Sequence, residues 1–273
     1  MHNEFIEELS QKPIVNTFKL AYKMLLSNKF LFIIVTIIFI FLSIAQYLIP
    51  LMFLSEIAEI SMVLVGIVVV TTNIVSQIFT EANYLYICKI LLDSSREESC
   101  LEKMGRTKVL TLFLNYFTRA MGSSLAIVLI VSPFIAIREE LDMGEYLDVF
   151  LVFLMLLLLL ALYVYSIVAY NITLSKNFKE AFVATFSLFS PSVWKQSFNL
   201  SYAKFVISLS LILYGAYYIL TYTIDNISLG FGFTAISIGV MVVMTVLSMF
   251  VALFVLPIAM MIAQFISADK KDK

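Results

Sequence analysis

Six stretches of about 20 mostly apolar residues divide this chain, and no other feature limits its fold as tightly. A helix of about 20 apolar residues crosses the hydrocarbon core of a bilayer. Lipid offers no partner to a backbone amide, so such a segment must satisfy its own hydrogen bonds, as a helix does. The stretches fall at about 30–49 (FLFIIVTIIFIFLSIAQYLI, closed by Pro50), 61–80, 113–136, 146–170, 202–222 and 233–256. The last apolar run continues from Ile227 to about Ser267, more than one crossing needs. Pro257 is therefore expected to bend the chain into a shallow interfacial turn, IAMMIAQFIS, after the sixth span.

Composition agrees. Only 14% of the residues are charged and 62% are hydrophobic, whereas a soluble domain carries about 25% charged residues. The expected fold is an all-α membrane protein, one polytopic domain over residues 1–273, with six transmembrane helices. The first 29 residues mix acids and lysines and lack the short basic start and cleavage site of a secretory signal, so the first span reads as a permanent anchor.

Basic residues set the orientation. Lys12, Lys19, Lys23 and Lys29 precede the first span, and Lys89, Arg96, Lys103, Arg106 and Lys108 lie between the second and third. Lys176, Lys179, Lys195 and Lys204 follow the fourth, and Lys270, Lys271 and Lys273 end the chain. The opposite loops carry only Arg138, together with acids such as Glu56, Glu59, Glu139, Glu140, Asp142, Glu145 and Asp225. Both termini are expected on the cytoplasmic side.

One segment before the first span, at about 13–27, and one between the fourth and fifth, at about 176–190, read as amphipathic helices in the headgroup layer, and between the second and third ANYLYICKILL continues the second span into a charged hinge, DSSREESCLEKMGR. In the first, Lys12, Asn16, Lys19 and Lys23 share one face, while Ile14, Phe18, Ala21 and Leu25 line another. In the second, Phe178, Phe182, Thr185, Phe186 and Phe189 cluster, and Pro191 closes the helix. Lys19, Lys23, Lys176 and Lys179 are the candidate lipid-headgroup contacts; the first reading of these helices is topological, with lysines snorkelling and aromatics anchoring, and binding of anionic lipid is the second. The chain thus reads as three helical hairpins, each preceded by a cytoplasmic helix.

This layout resembles the YciC-like bacterial inner-membrane proteins and the related membrane domain of glycerophosphoryl diester phosphodiesterases. The likeness rests on SNKFLFIIVTIIF entering the first span, on NITLSKNFKEAFVATFSLFSPSVWKQS after the fourth, and on VALFVLPIAMMIAQFISADKKDK at the end. The resemblance implies a six-span protein of the bacterial cytoplasmic membrane and brings no catalytic residues with it.

Nothing in the residues points to catalysis. His2 is the single histidine and sits at a terminus; Cys88 and Cys100 show no metal-ligand spacing. No phosphate-binding loop, nucleophile elbow or zinc-protease signature is present, so no catalytic, cofactor or metal site is expected. The basic residues are scattered as topology demands, which argues against nucleic acid as a partner.

The chemistry worth weighing lies within the spans. Asn73, Gln77 and Glu81 recur at four-residue spacing and so share one helical face, and Arg119 begins the third span at matching depth. Amides in lipid usually tie helices together, and Glu81 and Arg119 are open to three readings: interfacial groups, a structural ion pair, or a relay. Gly122, Ser123, Ser124, Gly215 and Ala216 are small enough to let helices approach closely. The expected role is a non-enzymatic, envelope-supporting membrane protein. The alternative is a small permease or the membrane subunit of a transporter, for which Pro133 and Pro257 are the candidate helix breaks. A lipid enzyme would need partners for Glu139, Glu140 and Asp142 that the sequence does not offer.

Overall fold

The computed structural model describes residues 4–53, 78–108, 116–130, 160, 163–228 and 235–268. Asn73, Gln77, Pro133, the acids Glu139, Glu140 and Asp142, and most of the expected second span lie outside the described residues. Every regular element among the described residues is helical. In chain order they are α1 (Glu4–Gln11), α2 (Pro13–Ser27), α3 (Lys29–Phe53), α4 (78–92), α5 (Glu97–Gly105), α6 (Tyr116–Ile130) and α7 (163–174). There follow α8 (Phe178–Thr185) with a 3-10 turn (Phe186–Phe189), α9 (Pro191–Ser197), α10 (Leu200–Ser228), α11 (Ala235–Phe250), a π turn (Val251–Val255) and α12 (Leu256–Ala268).

Two segments are long and apolar enough to cross a membrane, Leu200–Ile219 and Val242–Ala268. A third exists if α2 and the first half of α3, bent by 92° against each other, count as one broken span. The α6 helix is apolar but shorter. The two full-length segments differ in position: 56% of the second is buried against protein but only 17% of the first, so α12 is the central post and α10 the periphery.

Pro257 does not end the last span. Helix runs from Ala235 through the π turn to Ala268, and the expected interfacial turn is instead the buried helix α12, with Ile258, Met261 and Ile262 in the core. The local chemistry explains how. Proline has no N–H to give the carbonyl four residues back, and its ring crowds that carbonyl. The carbonyl is that of Leu253, and the ladder around it widens to π spacing, with the Leu256 amide donating to the Val251 oxygen. The orphaned Leu253 oxygen accepts instead from Asn83 Nδ2 on α4, at 3.2 Å. One side-chain amide, itself 1% exposed, replaces the missing backbone donor.

Helix α2 occupies the residues expected of it, and one of its faces is packed on protein. Its buried stripe is Thr17, Leu20, Ala21 and Met24, which meets α12, the π turn and α5. Ile14, Phe18 and Leu25 flank that stripe, half-buried. The Thr17 hydroxyl donates to the Pro13 carbonyl at 2.6 Å, which lets a polar residue sit fully buried in the seam.

Asparagines hold the corners. Asn28 occupies the break between α2 and α3, where its Oδ1 caps α3 by accepting from the Leu31 amide at 3.1 Å. Its Nδ2 donates to the last carbonyls of the α5 segment, Met104 at 2.9 Å and Thr107 at 2.8 Å. Asn199 repeats the device before α10: Oδ1 accepts from the Ser201 amide at 3.0 Å and Nδ2 donates to Ile266 at the end of α12, at 2.9 Å. Helix α8 opens with a capping box. Asn177 Oδ1 accepts from the Glu180 amide, and the Glu180 carboxylate accepts from the Lys176 amide and from Asn177 Nδ2. Pro191 follows the 3-10 turn and is the first residue of α9, so it starts a helix as well as closing one. Finally, α1 packs on α12, bringing the two ends of the described chain together.

Candidate functional site

The most polar place inside the helix bundle gathers around Glu81, on the first described turns of α4. Tyr165 of α7 donates its hydroxyl to the carboxylate, 3.1 Å from each oxygen, and Ser123 of α6 lies 3.3 Å from Oε1. The Ser123 hydroxyl is shared with the Ala120 carbonyl at 3.1 Å, the usual resort of serine inside an apolar helix. Three helices therefore meet on one carboxyl group, and its neighbours are neutral hydroxyls.

Arg119 is not among them. No ion pair joins it to Glu81 among the described residues; its guanidinium lies 5.0 Å from the centre of the Tyr116 ring. The ion-pair reading fails for a geometric reason. Ser123, one turn further along α6, presents the hydroxyl that Glu81 uses, while Arg119 folds back along its own helix to the aromatic residue three positions earlier. Tyr116 in turn meets Tyr86 edge-on at 5.5 Å, and Tyr86 shares a hydrogen bond of 2.8 Å with Thr107.

Ser124 Oγ on α6 is buried without a hydrogen-bond partner among the described residues. Tyr84 on α4 is buried beside Cys88, one turn further along the same helix. Nearby on the same helix, Cys88 is fully buried and its Sγ points at the Pro257 carbonyl, 3.8 Å away.

A second polar knot ties α7 to α10. Tyr202, fully buried, donates to the Tyr163 carbonyl and accepts from Ser166 Oγ at 2.5 Å. The Tyr163 hydroxyl donates to the Ser197 carbonyl at 2.6 Å, and the two tyrosine rings meet edge to face at 5.1 Å. Beside this knot an apolar cleft of about 220 Å³ opens between α7, α10 and α12, lined by Phe205, Leu209, Leu213, Ala259 and Met260 among others. A polar cleft of about 620 Å³ separates α1 from the start of α5, with Glu4, Glu8, Lys23, Arg96 and Glu98 on its walls. Neither touches Glu81. Among the described residues no cluster of three or more histidine, cysteine or carboxylate side chains is arranged to hold a metal ion.

The four candidate lysines divide. Lys23 is ion-paired with Glu97 and joins α2 to α5. Lys19, Lys176 and Lys179 are exposed and take part in none of the ion pairs among the described residues. Gly122 is where a small residue is indispensable, because the α8 backbone crosses α6 against it; a Cβ there would collide with the Phe178 carbonyl oxygen. Gly215 has open space around it. Asn83, Tyr165, Asn28 and Asn199 escaped the sequence reading. For Asn28 and Asn199 a signal existed, an asparagine directly before an apolar run.

No family model matches the chain, and no curated protein or solved structure shows significant similarity to it.

Proposed function

We propose that this chain is a multi-pass protein of the bacterial cytoplasmic membrane with six spans and cytoplasmic termini, and that it acts as a non-catalytic, envelope-supporting component. The resemblance to the YciC-like proteins and the distribution of basic residues support the location and topology. The role rests on one observation: the interior polar groups are mostly spent on joining helices. Glu81 accepts from α6 and α7, Asn83 repairs the ladder of the last span, and Tyr202 locks α10 to α7. Groups committed in this way stabilise an arrangement and are not free to turn over a substrate.

The test separates shape from protonation chemistry. Glu81→Gln keeps an acceptor for Tyr165 and Ser123, and Glu81→Ala removes it. In a strain lacking the chain and sensitised to osmotic or detergent stress, the Gln variant is expected to restore resistance fully. The Ala variant, with less folded protein, restores it partly. A Gln variant that folds to wild-type levels yet restores nothing refutes the structural role.

A second reading, a small permease or transporter subunit, is favoured by the buried carboxyl of Glu81 and its hydroxyl neighbours Tyr165 and Ser123, the kind of groups that line a polar path. Proton or cation flux in vesicles carrying the purified chain, abolished by Glu81→Gln, is the result that selects it.

A further inference from the structure

The segment from α8 to α9 presents a surface that neither the helix-joining groups nor the spans account for. On the side toward the bundle, Ala181 and Thr185 are buried and the backbone presses on Gly122. Gly122 lies within the apolar α6 helix, so α8 docks against the side of an apolar segment.

Flanking that buried side, a half-exposed edge of α8 is aromatic. Phe178, Phe182, Phe186 and Phe189 form a continuous row, with successive ring centres 6.3, 5.3 and 6.4 Å apart. Phe189 is 64% exposed and Phe198, just past α9, is 82% exposed. A helical turn of 3.6 residues places Lys179 and the exposed Val183 on the same face as Phe178, Phe182 and Phe186. A lysine among outward phenylalanines lays its methylenes along them and lifts its ammonium toward the polar layer. Lys176 stands one turn before it, and Lys195 ends α9. The one acid in this segment, Glu180, faces the helix start, with its oxygens taken up by the Lys176 amide and Asn177. The segment therefore carries a net positive charge beside an apolar surface.

We propose that α8, its 3-10 turn and α9 bind one anionic phospholipid of the bilayer, with the phosphate between Lys176 and Lys179 and an acyl chain along the phenylalanine row. Charge complementarity and the docking of α8 on the apolar α6 helix point to this occupant, one molecule of which offers a phosphate to the ammonium groups and acyl chains to the exposed phenylalanines. The inference rests on the membrane reading above and gives a headgroup preference to one of its surfaces.

The chain supplies its own probe. Trp194 is the only tryptophan, and on α9 it donates to the Leu188 carbonyl at 2.7 Å, next to the phenylalanine row. Full-length protein is reconstituted into vesicles of phosphatidylcholine with 30 mol% phosphatidylglycerol, bromine being carried on the chains of one lipid or the other at equal mole fraction. Brominated phosphatidylglycerol is expected to quench Trp194 about threefold more strongly, and Lys176→Gln/Lys179→Gln to abolish the excess. Lys29→Gln/Lys108→Gln, which removes two exposed charges elsewhere, is expected to keep it, and circular dichroism confirms helix content in each variant. Equal quenching by both lipids in the wild type overturns the anionic site. An excess that survives the Lys176/Lys179 variant overturns the assignment to these lysines. Absence of quenching by either lipid overturns the insertion of the segment. If the protein also leaves the membrane in alkaline carbonate, the membrane reading falls with it; if it stays, that reading stands alone.

Discussion

Glycine 122 offers the sharpest test of the architecture, because one methyl group there has a calculable consequence. A Cβ built at this position meets the Phe178 carbonyl oxygen inside contact distance, the Phe178 carbonyl carbon at 3.2 Å and the Phe182 nitrogen at 3.3 Å. All three atoms belong to the backbone of α8, so no side chain can swing aside. Relief requires the whole helix to move outward, at a cost of about 1–3 kcal/mol for overpacking. Alanine's better helix propensity returns at most about 1 kcal/mol. Gly215→Ala is the internal control, since the same methyl group meets nothing within 4 Å. At about 2–4 °C per kcal/mol for a chain near this size, Gly122→Ala is expected to melt several degrees below Gly215→Ala in the same detergent. Valine at 122 widens the gap and shifts the emission of Trp194 as α8 and α9 lift. Equal melting temperatures for the two alanine variants refute the close crossing of α6 and α8.

Three further outcomes follow from contacts described above. Asn83→Leu leaves the Leu253 carbonyl buried without a donor, costing about 1–3 kcal/mol, whereas Pro257→Ala restores the missing N–H; thermal melts of the double variant should show a loss smaller than the sum of the single losses by about 1 kcal/mol. Asn28→Ala strips the cap of α3 and two carbonyl partners at once, and protease should cut near residues 27–29 faster than in the wild type. Burial pushes the Cys100 thiol up to about 12 from its ordinary 9.0, so it stays protonated and unreactive toward a thiol reagent at pH 8 until the chain is unfolded. By linkage, the same group favours the folded state up to about pH 9, where the unfolded thiol begins to ionise, and that contribution is lost as pH rises toward 12; stability curves of Cys100→Ala against wild type across this range check the sign.

What could be read from residues alone, and what could not, divides along a physical line. Period and capping are local, and they give the residue range of α2 and the start of α8 at Asn177 and Glu180. The partner of an apolar face is not local. Leu20 and Met24 look the same to a hydropathy scale whether they meet lipid or α12, so the sequence could not tell a surface helix from a buried one. Pro257 misled for a related reason. A proline ends a helix only when no other group serves the freed carbonyl, and here the server is Asn83, 170 positions away. Glu81 and Arg119 match in depth along their helices, but depth does not fix azimuth, and the azimuth gave Glu81 to Tyr165 and Ser123.

The docking of α2 also has a consequence in time. Of its partners, α5 is synthesised about 80 residues after it and α12 about 230, the latter a delay on the order of 10–50 s at ordinary rates of elongation. Through that interval α5 alone can cover part of the stripe of Thr17, Leu20, Ala21 and Met24, and the side that meets α12 stays open. Packing is complete only when the two ends of the described chain have found each other, so synthesis halted before Pro257 is expected to leave the first helices without α12 and open to protease.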